Sequence, residues 1–258
     1  MKLISIVVAA IFLFPSRTFA MEKAVDPDLA YKVFVHGSVE HPGRFSIMPG
    51  GRLADALIAA QPNQAAYLQG MMFHSQVARD SQVRLRAGLM HDLREFKDSA
   101  RTDIREAAAM LDDWINERQV TGRVRSSVDV RLMQVRPPLN PLLQDGDIIH
   151  MPERPKTIRV MGAVRAECRL IPDPLTDAKE YLRSCPPSSA ADRNYIYVVQ
   201  PDGLVQKLGI AAWNRANLQS IAPGGTLFVP LIESATNIVD AEFNSDFAAF
   251  IATQPITP

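Results

Sequence analysis

Val33-Phe34-Val35-His36-Gly37-Ser38-Val39 and Ile158-Arg159-Val160-Met161-Gly162-Ala163-Val164 are two versions of one pattern, V/I-x-V-x-G-x-V. Strict alternation turns every second side chain to one side, so each stretch is a strand with a single buried face. The echo continues in the same order. Leu53-Ala54-Asp55-Ala56 is answered by Leu175-Thr176-Asp177-Ala178, with Asp55 and Asp177 in the first turn of short helices that follow turn-rich stretches. Gly146-Asp147-Ile148-Ile149-His150-Met151-Pro152 is answered by Gly224-Gly225-Thr226-Leu227-Phe228-Val229-Pro230, a glycine turn, an apolar strand and a proline. The interval between the copies shrinks before this last pair, so the first copy carries an insertion in its middle.

Within a copy the order is strand, tight turn, strand, helix, later strands. A helix laid across a small mixed sheet is an α+β arrangement, and this order predicts two tandem β-grasp (ubiquitin-like) domains. The first turn is His41-Pro42-Gly43, where proline fixes φ and glycine supplies the positive φ of a tight turn. In the second copy Glu167-Cys168-Arg169 stands in its place. The expected division is a first domain over 21–154 with a helical hairpin at about 80–119, a second over 155–233, and a terminal amphipathic helix and tail over 234–258.

Leu85, Leu89, Leu93 and Phe96, then Ile104, Ala108, Leu111 and Ile115, repeat at helical spacing around the turn residues Asp98-Ser99. Near the end Val239, Phe243, Phe247 and Phe250 fall on one side of a helix expected over Asn237–Ala252. That face either docks on its own domain or meets a partner or a membrane interface.

Met1-Lys2, the apolar run Leu3 to Phe14, and Thr18-Phe19-Ala20 have the parts of a secretory signal peptide cleaved after Ala20. As a membrane anchor the run is shorter than the roughly 20 residues a bilayer requires. An exported, periplasmic protein with no further transmembrane segment is expected. Lysine plus arginine and aspartate plus glutamate are equal at 28 each, which argues against nucleic acid as a partner. Cys168 and Cys185 are the only cysteines. In an oxidising compartment they are read as a disulfide, against a metal or reactive thiol for which no CxxC or intervening histidine is at hand.

No nucleophile elbow, zinc-protease motif or phosphate loop occurs, and no cofactor is implied. His36 and His41 flank the first turn and could approach each other, but two histidines without a carboxylate make a poor metal site. Trp114 and Trp213 offer flat faces for sugar rings, or serve the interior. Arg123 could present its fork to an acidic sugar, or to a structural salt bridge.

Val120-Thr121-Gly122-Arg123, Asn140 through Asp147, Pro152-Glu153-Arg154-Pro155, Pro201-Asp202-Gly203, Trp213-Asn214 and Ala222 through Leu231 together resemble the capsule-biosynthesis family of the GfcC type. The opening strand and Pro42-Gly43 resemble the soluble-ligand-binding β-grasp (SLBB) modules of polysaccharide export proteins. The resemblance implies a periplasmic protein of group 4 capsule or exopolysaccharide loci, with two β-grasp domains, a helical hairpin inserted in the first, and a terminal helix similar to that of the outer-membrane export channel. It also implies a cleft arginine, which maps onto Arg123, while the missing Pro-Gly turn puts the second copy's ligand role in question. The expected function is a non-enzymatic factor binding polysaccharide, acidic sugars included, or an export partner. The alternatives are a polysaccharide-modifying enzyme and a structural adaptor for the export channel.

Overall fold

The computed structural model describes residues 29–126 and 129–256; the expected signal peptide at 1–20 lies outside them. The first unit runs β1 (Tyr31–Gly37), β2 (Gly43–Ile47), α1 (Leu53–Ala60), β3 (Met72–His74), α2 (Gln76–Lys97), α3 (Thr102–Asn116), β4 (Arg123–Val124), α4 (Val130–Val135) and β5 (Ile148–Met151). The second runs β6 (Ile158–Gly162), β7 (Cys168–Leu170), β8 (Tyr195–Val199), β9 (Val205–Gly209) and β10 (Thr226–Val229), followed by α5 (Glu233–Val239) and α6 (Phe243–Ala252).

The two sheets have one topology, β2-β1-β5-β3-β4 and β7-β6-β10-β8-β9. In each the first and last strands pair parallel at the centre, Val35 beside Ile149 and Val160 beside Leu227. The repeated glycine has a steric reason. Gly37 and Gly162 take positive φ, and a Cβ on either would lie 2.1 or 2.2 Å from the carbonyl oxygen of Met151 or Val229. The chain turns off the first strand directly over the last one, where only glycine fits.

Under the first sheet α1 buries Leu53, Ala54, Ala56, Leu57 and Ala60 against Val33, Val35, Phe73, Ile149 and Met151. Its amino end is held from afar: the Ala54 amide donates to Asn140 Oδ1 at 2.9 Å and the Leu53 amide to the Pro141 carbonyl at 3.0 Å. This gives the Asn140-Pro141 pair a capping role. In the second copy the helix is reduced to a 3-10 turn, Ala178–Arg183. Pro186 and Pro187 forbid its continuation, and the Cys168–Cys185 disulfide ties its end to β7. The hairpin of β6 and β7 forms without a Pro-Gly turn, Val160 pairing with Cys168.

The inserted hairpin α2–α3 packs on the other unit. Leu89, Leu93, Phe96, Ile104, Leu111 and Ile115 share a core with Val160, Met161, Tyr197 and Phe228 of the second sheet and with Phe243, Phe247 and Phe250 of α6. Ring centroids are 4.8 Å apart for Phe96 and Phe243, and 5.3 Å for Phe228 and Phe247. The second sheet is thus covered on both faces. The terminal segment is two helices, because the Asp240 carboxylate takes the Glu242 amide at 2.9 Å and turns the chain between them. With Phe243, Phe247 and Phe250 fully buried, the aromatic face docks on the chain itself, the first of the two readings the sequence allowed. No helix of the described residues is long and apolar enough to cross a membrane.

Phe247→Ala removes the ring shared by hairpin, helix and sheet and is expected to cost about 3–5 kcal/mol, read by denaturant titration. The double change Cys168→Ala with Cys185→Ala is expected to cost about 3 kcal/mol. Thermal melts with and without reductant check it: the wild type should fall to the variant's midpoint when reduced.

Candidate functional site

From Met151 the chain passes through Pro152-Glu153-Arg154-Pro155-Lys156-Thr157 into β6. The two prolines keep this link extended, and it forms the floor of an open groove between the units. The volume is about 960 Å³; the walls are Ser38, Asn63 and His150 of the first unit, Arg169 of β7, and Ile256 of the tail. The sequence makes the groove basic. Arg154, Lys156 and Arg169 line it with half-buried His150, and Glu153 is the sole carboxylate in the lining.

The groove is braced on one side by Tyr67. Its amide donates to the Pro152 carbonyl at 2.8 Å and its hydroxyl to the Pro223 carbonyl of the second unit at 2.9 Å. Burial raises the Tyr67 pKa, so the hydroxyl keeps the proton it donates. The Arg154 guanidinium lies 5.5 Å from the ring centroid, an arrangement that orients a cation without neutralising it.

Arg123 stands on β4 with its side chain turned inward, 5 % exposed. Nη1 donates to the Gln254 carbonyl at 2.8 Å and the Ala252 carbonyl at 3.4 Å, and Nη2 to the Pro201 carbonyl. Ala252 ends α6, so the cation also sits at the negative end of that helix. Burial lowers its pKa to about 10, which leaves it charged at neutral pH. The partners are main-chain carbonyls and not the acidic side chain of a salt bridge. The adjoining cleft, shared with Trp114, Arg159 and Gln254, is small, about 40 Å³.

Trp114, 7 % exposed, is 5.6 Å from Phe247 and carries Arg118 at 4.6 Å over its ring. Its ring packs in the core, the interior role the sequence also allowed. Trp213 is the opposite case, 71 % exposed. Its ring meets Tyr195 edge-on at 6.3 Å, and Lys207 Nζ lies 4.2 Å from the Tyr195 centroid. Asn214 fixes the loop that presents it, accepting from the Ala211 amide at 3.0 Å and donating to the Asn194 carbonyl at 3.1 Å. The structure therefore separates the three residues expected to bind: two are inside, and one is on the loop that follows β9. His36 pairs with His150 rather than His41. Among the described residues no group of three or more His, Cys, Asp or Glu is placed to hold a metal ion.

Sequence reading missed the groove itself. Its signal in the sequence is the basic link Arg154-Pro155-Lys156, of which the resemblance marks only Pro152 to Pro155.

The fold and its basic junction define an α+β protein of two β-grasp-like units. Residues 28–149 match the family described as capsule biosynthesis GfcC, N-terminal, and residues 170–255 match capsule biosynthesis GfcC C-terminal. The chain belongs to the GfcC capsule-biosynthesis family. It is 28 % identical over 216 residues to the uncharacterized protein YjbG of Escherichia coli strain K12, covering 83 % of this chain and 86 % of that one.

Arg123→Met strands three buried carbonyls and is expected to cost about 3 kcal/mol, measured by chemical denaturation. Arg123→Lys should recover only part of this, because an ammonium lacks the planar fork. Unchanged stability in both variants would mean the carbonyls are served in another way.

Proposed function

We propose that this protein is a non-enzymatic periplasmic accessory factor of capsule or exopolysaccharide biosynthesis that binds acidic polysaccharide in the groove between its two units. The observation that carries the reading is the donor set of the groove: three cationic side chains, amide and hydroxyl groups of Asn63 and Ser38, and one carboxylate. A volume near 960 Å³ is at the upper end of the range for small-molecule pockets. Guanidinium and ammonium groups recognise carboxylate or phosphate on a glycan. General acid and base catalysis of glycosidic cleavage calls for paired carboxylates, and Glu153 has no such partner in the lining.

Family membership supports the pathway, and the disulfide supports an oxidising compartment. Trp213 beside Tyr195 is a second contact, an exposed ring face suited to stacking on a sugar.

The probe pair is an oligogalacturonate, as acidic glycan, and a neutral dextran oligomer of the same length, compared by calorimetry. The acidic oligomer should bind with an affinity that falls as salt rises, and the neutral one should not bind detectably. Arg154→Glu with Lys156→Glu should weaken binding by at least about tenfold, equivalent to about 1.4 kcal/mol, with an unchanged melting curve. Equal binding of the two oligomers, or an unaffected charge-reversed variant, would overturn the assignment.

A further inference from the structure

The hydrogen bonds that shape the groove in the first unit recur one for one in the second. The Ser38 amide donates to the Met151 carbonyl at 2.7 Å, and the Ala163 amide to the Val229 carbonyl at 2.8 Å. The Asn63 amide donates to the Ser38 carbonyl at 3.1 Å, and the Ser188 amide to the Ala163 carbonyl at 2.9 Å. The Tyr67 amide donates to the Pro152 carbonyl at 2.8 Å, and the Asp192 amide to the Pro230 carbonyl at 2.9 Å. Ala66 then bridges to Glu153, and Ala191 to Leu231. Ser38, Asn63 and Glu153 therefore stand where the second unit has Ala163, Ser188 and Leu231, and Arg154 stands where it has Ile232.

Ala163 and Leu231 are fully buried, so the unit folds with apolar side chains at these places. The bridge to Ala66 is a backbone contact that leucine makes equally well in the sister copy. The exposed carboxylate of Glu153 is thus not demanded by the fold. The groove cations have a reason in an anionic ligand, but Glu153 opposes that reason, since it reduces the attraction its neighbours exert.

A carboxylate set among cations does two things to a polymer laid across them. It accepts hydrogen bonds from hydroxyl groups, which every neutral sugar residue offers. It also repels a second anionic group brought close to it, a device that rejects a wrong ligand and not only one that attracts the right one. A polymer charged at every residue must bring a carboxylate near Glu153 while it fills the sites at Arg154 and Lys156. A polymer in which acidic residues alternate with neutral ones can place its anions on the cations and its hydroxyls on Glu153.

We propose that Glu153 is a specificity determinant of the groove, selecting a heteropolysaccharide whose acidic residues are spaced by neutral, hydroxyl-bearing ones. This rests on the glycan reading of the groove and deepens it.

The test is calorimetry on the full chain with two oligogalacturonates of equal length, one fully ionised and one with half of its carboxyls blocked as methyl esters, so that the spacing of charge differs on a common backbone. Glu153→Gln keeps the size of the side chain and removes its charge. It should raise affinity for the fully ionised oligomer, relative to the half-esterified one, by at least about threefold, a change within the range of single exposed charge contacts. Glu153→Leu, the residue of the sister unit, should shift the ratio in the same direction. Asp113→Asn removes an exposed carboxylate of α3 outside the groove and should leave the ratio unchanged, which separates a local effect from one of net charge. A ratio unaltered by both Glu153 substitutions, in variants with the wild-type melting curve, would overturn the proposal. If the wild type binds neither oligomer, the glycan reading fails and this inference with it. If both bind and Arg154→Glu with Lys156→Glu weakens them, while the ratio ignores Glu153, the glycan reading stands and this inference alone fails.

Discussion

Phe247 stands where three stretches of chain distant in sequence meet: Trp114 of the hairpin, Phe228 of the second sheet, and its own helix. Everything else about the arrangement of the molecule depends on that aromatic contact. A sheet with one apolar face needs one cover; a sheet with two needs two. Met161, Tyr197 and Phe228 give the second sheet its additional apolar face, and the nearby 3-10 turn is on the other side. The cover must therefore come from elsewhere in the chain. It is borrowed from the unit before and the helix after. Burying each of these rings contributes about 1.5–3 kcal/mol.

That borrowing locks the junction. The hairpin leaves the first unit after β3 and returns to it at β4, having packed on the second unit in between. Arg123, on β4, then fastens the Ala252 and Gln254 carbonyls at the end of α6 and the Pro201 carbonyl of the β8–β9 turn. The groove floor, Pro152 to Thr157, is held between two bodies that are already clamped together behind it. A basic groove of fixed width follows from a hydrophobic requirement on the other side of the molecule.

The strand pattern was legible because its marks are stereochemical. Gly37 and Gly162 are demanded by a carbonyl beneath them, and a glycine so demanded stands out between alternating valines. The hairpin was legible as helices from Leu85 to Ile115, since a stripe at helical spacing announces a buried face. The partner of that face was not, because a stripe of leucines fits any apolar surface. Arg123 shows the same limit at a single residue. Its neighbours in sequence mark it, but its partners at positions 201, 252 and 254 cannot be deduced from spacing. His36 was set beside His41 for want of register; parallel pairing puts it beside His150 instead. The single helix read over Asn237–Ala252 failed because a local hydrogen bond from Asp240 outweighs a periodicity that continues past it.

The inserted hairpin also has a consequence in time. Its apolar stripe is complete at Ile115, whereas the surfaces that cover it, from Val160 to Phe250, are made later. At about 5–20 residues per second, the stripe waits on the order of ten seconds for its cover, as a two-helix amphiphile in search of any greasy neighbour. Chaperones that hold nascent chains should find their first grip on this segment, and crowding of unfinished chains would be most hazardous during that interval.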